Sequence, residues 1–392
     1  MNLRFLFAII FCCWPAVALA QMSGRFYLEK DNFAPGEPVF LYFQARNLGT
    51  ETQELSAFGA YSSCSDYRIR VSSDPDPNLS WEHTVIGGSC LSFFTTVDPG
   101  ESREQRIVLN YKHNIAADGE YEVDALTVLP KSSGLADSGN GENFIEVHQQ
   151  LHFRVDKNAT PDPNAIPDLV AQLKSPDVSE KWEAAVALAS IAPPSLQDLF
   201  LSFTADKELR EWAPLAFYKL NMPRSLQAMA DLLRTSEVGS GESLQSAEYL
   251  AKTRDSQWYP LLLEFAQKHS NIADYVDYAA ESGGEQILPD LIRVLNSTDL
   301  ETTQPNAISA LAYTGSRAAV PVLLELLRSP DPLRSYAALV ALRELTHRTY
   351  GGEHWLDNPQ SQYPKWAQFW AREGANAPVY KADDLGEGKP LE

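Results

Sequence analysis

Six apolar segments recur along the second half of the chain at an interval of about thirty residues. They are AIPDLVAQL (165–173), SLQDLFLSF (195–203), SLQAMADLL (225–233), WYPLLLEFA (258–266), ILPDLIRVL (287–295) and AVPVLLELL (319–327), and their third positions stand 29 to 33 residues apart. A beat of that length is one supersecondary unit repeated, each unit too small to bury its own apolar face. Inside each segment the apolar residues follow a period of about 3.6, which predicts a helix. A turn marked by Asp177, Asp206, Asp299 or Asp331 follows, and then a second helix of smaller residues. These are WEAAVALASI (182–191), EWAPLAFYKL (211–220), SLQSAEYLA (243–251), NAISALAYTG (306–315) and SYAALVALREL (335–345), with YVDYAAESGG (275–284) in the degenerate fourth unit.

The physical reason for so much alanine is distance. Ala337, Ala338 and Ala341 leave almost no side chain, so the helix that carries them can lie close to a neighbour. Proline at the first turn of a helix sacrifices no hydrogen bond, and an aspartate before the second helix can cap its free N–H groups. Stacked pairs of this kind predict an α-solenoid of about six helix pairs over 165–350. Beyond it the period breaks. Trp366, Phe369 and Trp370 stand at i, i+3 and i+4, as a helix covering the last pair requires. A capping segment is expected over 351–375 and a disordered tail over 376–392.

The first half has a different texture. PVFLYFQA (38–45), YRIRV (67–71), LSFFTTV (91–97), QRIVLN (105–110) and YEVDALTVL (121–129) are rich in β-branched and aromatic residues, with turn sequences APGE, NLGT, DPGE and ADGE between them. In VHQQLHFRV, Val147, Leu151, Phe153 and Val155 face one way and His148, His152 and Arg154 the other. The pattern predicts an antiparallel β-sandwich over 21–156, a loop over 130–143 and a linker over 157–164.

These residues carry three resemblances. Pro321, Leu323, Leu326, Leu327, Asp331, Arg334, Ala337, Ala338, Ala341 and Leu342 resemble a HEAT repeat of the short bacterial type also found in phycobilin lyases. Unit 165–191 is similar, with Lys181 where the arginine usually stands, while the third and fourth units depart from the pattern. The closing aromatic segment resembles that of exported bacterial HEAT-repeat proteins. FAPGEPVFLYFQARNLGTETQEL (33–55) resembles the opening strands of immunoglobulin-like modules in exported proteins, some of them proteinase inhibitors. Such resemblance is specific for fold and implies little about partner or reaction.

Compartment and charge narrow the classes. MNLRFLFAIIFCCWPAVALA has one arginine, an apolar run and a small-residue exit, the layout of a secretory signal with cleavage between Ala20 and Gln21. The expectation is a periplasmic or extracellular protein with no stable membrane insertion. Removal of that leader leaves Cys64 and Cys90, most simply one structural disulfide, which would add about 3 kcal/mol by restricting the unfolded chain. The net charge is −20, and residues 24–160 hold 11 Lys+Arg against 20 Asp+Glu, so no basic half is hidden and nucleic acid is not the expected partner.

Sites for chemistry are faint. His347 and His354, with Glu344 and Glu353, fit no standard ligand spacing across a Gly-Gly turn. His148 and His152 share a strand face but stand roughly 13 Å apart, too far for one ion. No nucleophile elbow or phosphate loop occurs, and neither a cofactor nor a metal is expected. The charged residues Lys181, Arg210 and Arg334 are read as pairs between neighbouring units that fix their spacing. Aromatic residues are the better lead for a partner surface: Trp182, Trp212, Tyr218, Tyr249, Trp258, Tyr275, Tyr278, Tyr313 and Tyr336 are many for a stack built on alanine. The leading reading is a non-catalytic exported protein that binds a protein or peptide along the helical surface. A lyase-like or other enzyme, by analogy of fold, and a proteinase inhibitor acting through the β-sandwich are the alternatives.

Overall fold

Among the described residues, alternating apolar and polar residues build nine strands in the first part of the chain, and the thirty-residue beat builds the helices of the second. The computed structural model describes residues 22–56, 67–72, 94–113, 115, 117–130, 144–269, 274–296, 304–350, 358–374 and 376–380. The leader with Ala20 and Gln21, both Cys64 and Cys90, and His354 lie outside the described residues. The strands are β1 (Met22–Leu28), β2 (Asn32–Phe33), β3 (Phe40–Asn47), β4 (Gln53–Ser56), β5 (Arg68–Val71), β6 (Phe94–Val97), β7 (Ser102–Val108), β8 (Gly119–Pro130) and β9 (Phe144–Val155).

One sheet has the order β1-β3-β7, a second β2-β9-β8-β5, and β4 pairs with β6. All pairings are antiparallel except β2 with β9, where Asn32 lies beside Arg154 and Phe33 beside Val155. A wholly antiparallel arrangement was the expectation. The parallel pair is two residues long, and the chain turns soon after it at Gly36, with φ +81°. Phe26, Leu41, Phe43 and Ile107 from the first sheet and Tyr121, Val123, Phe153 and Val155 from the second bury one common core.

The helices are α1 (Ala165–Gln172), α2 (Val178–Ile191), α3 (Gln197–Phe203), α4 (Ala213–Leu220), α5 (Pro223–Thr235), α6 (Gly241–Lys252), α7 (Tyr259–Lys268), α8 (Asp274–Gly283), α9 (Leu288–Leu295), α10 (Gln304–Tyr313), α11 (Ala319–Leu327), α12 (Pro332–Thr346) and α13 (Tyr363–Glu373). Asp177 caps α2 by accepting from the Ser179 amide at 2.8 Å, and Asp331 caps α12 by accepting from Leu333 at 2.9 Å. The even-numbered helices from α2 to α12 touch one another in succession, whereas the odd-numbered ones are mostly held apart. Ala184, Ala187, Ala310 and Ala338 on that even row are fully buried, which is what allows the close approach. The even-numbered helices thus form one continuous, closely packed inner row. Lys181 reaches Glu208 and Arg210 approaches Glu242 at 3.8 Å, each bridging toward the next pair, while Arg334 pairs with Asp331 of its own turn.

Trp366 and Phe369 are buried against the last pair, as a covering helix requires. Residues 376–380, at the head of the segment expected to be a disordered tail, pack back on the last pair. The Tyr380 amide donates to Leu345 O at 2.9 Å, and its ring stacks on His347 with centroids 3.7 Å apart. That stacking gives the buried His347 a structural task.

The two parts of the chain are joined by more than a tether. Phe40 and Val108 from the sheets enter the helical core. The nearly buried Glu37 carboxylate accepts from Ala34 N at 2.8 Å and from Asp162 N at 2.5 Å, and Lys30 Nζ lies 2.8 Å from it. Burial works against that ionised carboxylate, yet Lys30 and the two amides outweigh it and hold its carboxyl below the usual range. The predicted linker is therefore pinned to the sheets.

Candidate functional site

Each even-numbered helix from α4 to α10 carries one tyrosine on its inner side: Tyr218, Tyr249, Tyr278 and Tyr313. All four are half-buried. Tyr218 and Tyr249 stack with ring centroids 4.9 Å apart and planes 12° from parallel. The sheet-rich part adds Tyr111, from the short turn after β7, which meets Trp212 edge-on at 5.9 Å. A column of phenols thus runs from the junction of the two parts along the inner row, Tyr111 and Tyr218 acting on Tyr249 and Tyr313 on Tyr278.

Carboxylates border this column. Burial raises the Tyr111 phenol above its ordinary range, and Glu211 and Glu248 raise it further. Tyr249 is raised by burial and then by Tyr111, Glu248 and Tyr218. Tyr278 is raised by burial and then by Glu248, Asp274, Asp277 and Tyr313. The charged side chains that raise these three phenols are all acids, while Lys252 lies over the Tyr249 ring at 5.8 Å. Glu211 is itself pushed up, first by burial and then by Glu242, as two like charges in one hollow must be. Of the nearby cations, Lys252 is held by Glu248 at 2.5 Å and Arg210 lies by Glu242. Lys112 and Lys219 are open to water yet crowded by protein, and that crowding lowers both ammonium groups.

The sequence-predicted aromatics divide. Tyr218, Tyr249 and Tyr313 belong to the column, with Tyr278 between them. Trp212, Trp258 and Tyr275 are buried and cannot anchor a partner; this corrects the expectation for those three. Tyr275 is fully enclosed, with its hydroxyl 2.7 Å from Ser243 Oγ. Trp182 and Tyr336, 40% and 45% exposed, stand apart on the first turns of α2 and α12. The indole of Trp182 donates to Glu208 O at 2.9 Å. Sequence reasoning missed Tyr111 and the bordering acids. Tyrosines 218, 249, 278 and 313 recur at intervals of 29 to 35 residues, the signal that could have suggested the column, though Tyr275 on the same helix as Tyr278 blurs it.

Elsewhere, a cavity of about 190 Å³ lies at the junction, lined by Phe40, Tyr42, Arg106, Asp168 and Gln172. His148 is hydrogen-bonded to Asp124 at 2.5 Å on the outer face of β8 and β9. Among the described residues no cluster of three or more His, Cys, Asp or Glu side chains is arranged to hold a metal, and no helix is long and apolar enough to cross a membrane.

Residues 273–343 match the family model described as HEAT repeats, a stretch that runs from α8 into α12. No curated protein matches the chain. Among solved structures, that of an engineered protein aligns at 22% identity over 50% of this chain and 96% of its own, with a TM-score of 0.27. Two structures of Salmonella alpha-2-macroglobulin, a point mutant and a form reacted with methylamine, align at 13% identity over 82% and 93% of this chain. They do so over 26% and 29% of their own length, each with a TM-score of 0.20. Superpositions that loose carry no argument about this chain.

Proposed function

We propose that this is a non-catalytic binding protein, built as a solenoid of six HEAT-like helix pairs whose inner face receives a polypeptide. An immunoglobulin-like sandwich is fixed to its first pair, and the leader-like residues 1–20 support residence outside the cytoplasm. The observation that carries the reading is the column of half-open tyrosines, one on each of four successive inner helices. Aromatic side chains give large contact area at small entropic loss, which suits them to interfaces. Their exposure is also unneeded by the core, which alanine and leucine fill on the other sides of the same helices.

The test is site-specific photocrosslinking in the native host. A photoreactive residue replaces Tyr313 on the inner face or Glu264 on the outer helix α7. The expected result is one discrete polypeptide adduct from position 313, none from 264, and loss of the adduct when Tyr278→Ala is added. Equal labelling from both faces, or no polypeptide adduct from the inner face, overturns the reading.

A further inference from the structure

We propose that the tyrosine column takes an extended polypeptide segment bearing lysine or arginine at every third residue. This rests on the inner face being the binding surface and names the class of its occupant. The geometry sets the spacing. Packed helices stand about 8–10 Å apart, and a polyproline-type strand advances about 3.1 Å per residue with three residues per turn. Each third side chain of such a segment therefore meets the next inner helix, where the next tyrosine waits.

The choice of a cationic occupant comes from what borders the rings. An ammonium or guanidinium group gains on a phenol face, and gains more where carboxylates stand beside it. The column already shows one such arrangement within the chain: Lys252 Nζ sits 5.8 Å from the Tyr249 ring centroid while paired with Glu248. Asp274 and Asp277 flank Tyr278 in the same manner, and Glu211 with Glu242 lies toward Tyr111. An anionic segment would press its carboxylates against these five acids, which Lys252 and Arg210 only partly offset, whereas a cationic one is drawn to them. An apolar segment would strip the acids of water with nothing in return. The excess of acids, 52 Asp+Glu against 32 Lys+Arg, adds a long-range field of the same sign.

The test uses the full chain and three labelled peptides of about twelve residues, proline-rich, with lysine, glutamine or glutamate at every third position. Fluorescence anisotropy at low ionic strength reads binding. The lysine peptide is expected to bind about tenfold more tightly than the glutamine peptide and to weaken as salt rises. Glu248→Gln and Tyr278→Ala are each expected to weaken it about fivefold, with circular dichroism verifying an intact helical fold. Glu248→Gln changes charge at constant volume, so its result stands even where Tyr278→Ala loosens the fold. Equal binding of the glutamine or glutamate peptide, or lysine-peptide binding indifferent to Glu248→Gln, overturns the cationic assignment. If no peptide binds while Tyr313 still crosslinks a polypeptide, the class of occupant is wrong and the inner-face reading survives. If neither occurs, both fall.

Discussion

The guanidinium of Arg106 on β7 donates its Nε–H to the Glu183 carboxylate on α2 across 2.9 Å. A second nitrogen of the same group donates to Gln172 of α1 at 3.0 Å, and the guanidinium plane lies over Phe40 with 4.5 Å to the ring centroid. One side chain thus clamps the sheet-rich part to the first helix pair. Burial raises the Glu183 carboxyl above its usual range, Arg106 opposes that, and Glu180 and Asp177 add to the rise.

Replacing Arg106 by alanine should therefore do more than remove an ion pair, because it leaves a mostly enclosed carboxylate without its counter-charge. The expected loss is about 1–3 kcal/mol at neutral pH, seen as a lower midpoint in urea. The sign with pH follows from the raised pKa. The folded variant holds the Glu183 proton more tightly than the unfolded chain, so stability is fullest below the ordinary carboxyl value of 4.5 and declines as pH rises through the folded pKa. The deficit of the variant should shrink on acidification, and a deficit that grows instead would sink this account.

Ala338 on α12 is fully buried on the inner row, where α10 and α12 approach through small side chains. Ala338→Leu adds volume with no space to receive it and should destabilise the chain by about 1–3 kcal/mol. Tyr336→Leu, two residues away at a largely open position, should stay within about 0.5 kcal/mol. Chemical denaturation of the two variants checks the pair; equal effects would mean that the rows do not depend on close approach.

The phenols of the column make alkaline pH informative. Tyr278 and Tyr249 hold their protons more tightly in the fold than free tyrosine, whose ordinary pKa is 10.0. Their contribution is whole below that value and is lost as pH rises above it toward the folded pKa. Lys112 and Lys219 act in the opposite sense, since their lowered pKa values favour the fold once they lose a proton. Comparison with Tyr278→Phe isolates one phenol: the variant should lose stability less steeply above about pH 10. Phenolate absorbance should show one fewer late-titrating tyrosine. An unchanged slope and titration would place Tyr278 in open water.

The thirty-residue beat, the aspartates at 177 and 331 and the alanines between them dictate helix pairs before any coordinates are seen, because period and capping are local chemistry. Phe153 and Val155 likewise announce their inward face by alternation, and Trp366 with Phe369 announces a covering helix. Which aromatics stay reachable was decided only in three dimensions. Tyr275 and Tyr278 sit on one helix three residues apart, yet the first is sealed against Ser243 and the second opens inward. Their fate depends on where the neighbouring helices lie, and a short helix with apolar residues on several sides does not encode that in its own period. Tyr111 joins the column from the other part of the chain, and residues 376–380 gain order from His347 and Leu345. Both arise from contacts between segments distant in sequence, for which no local spacing gives a sign.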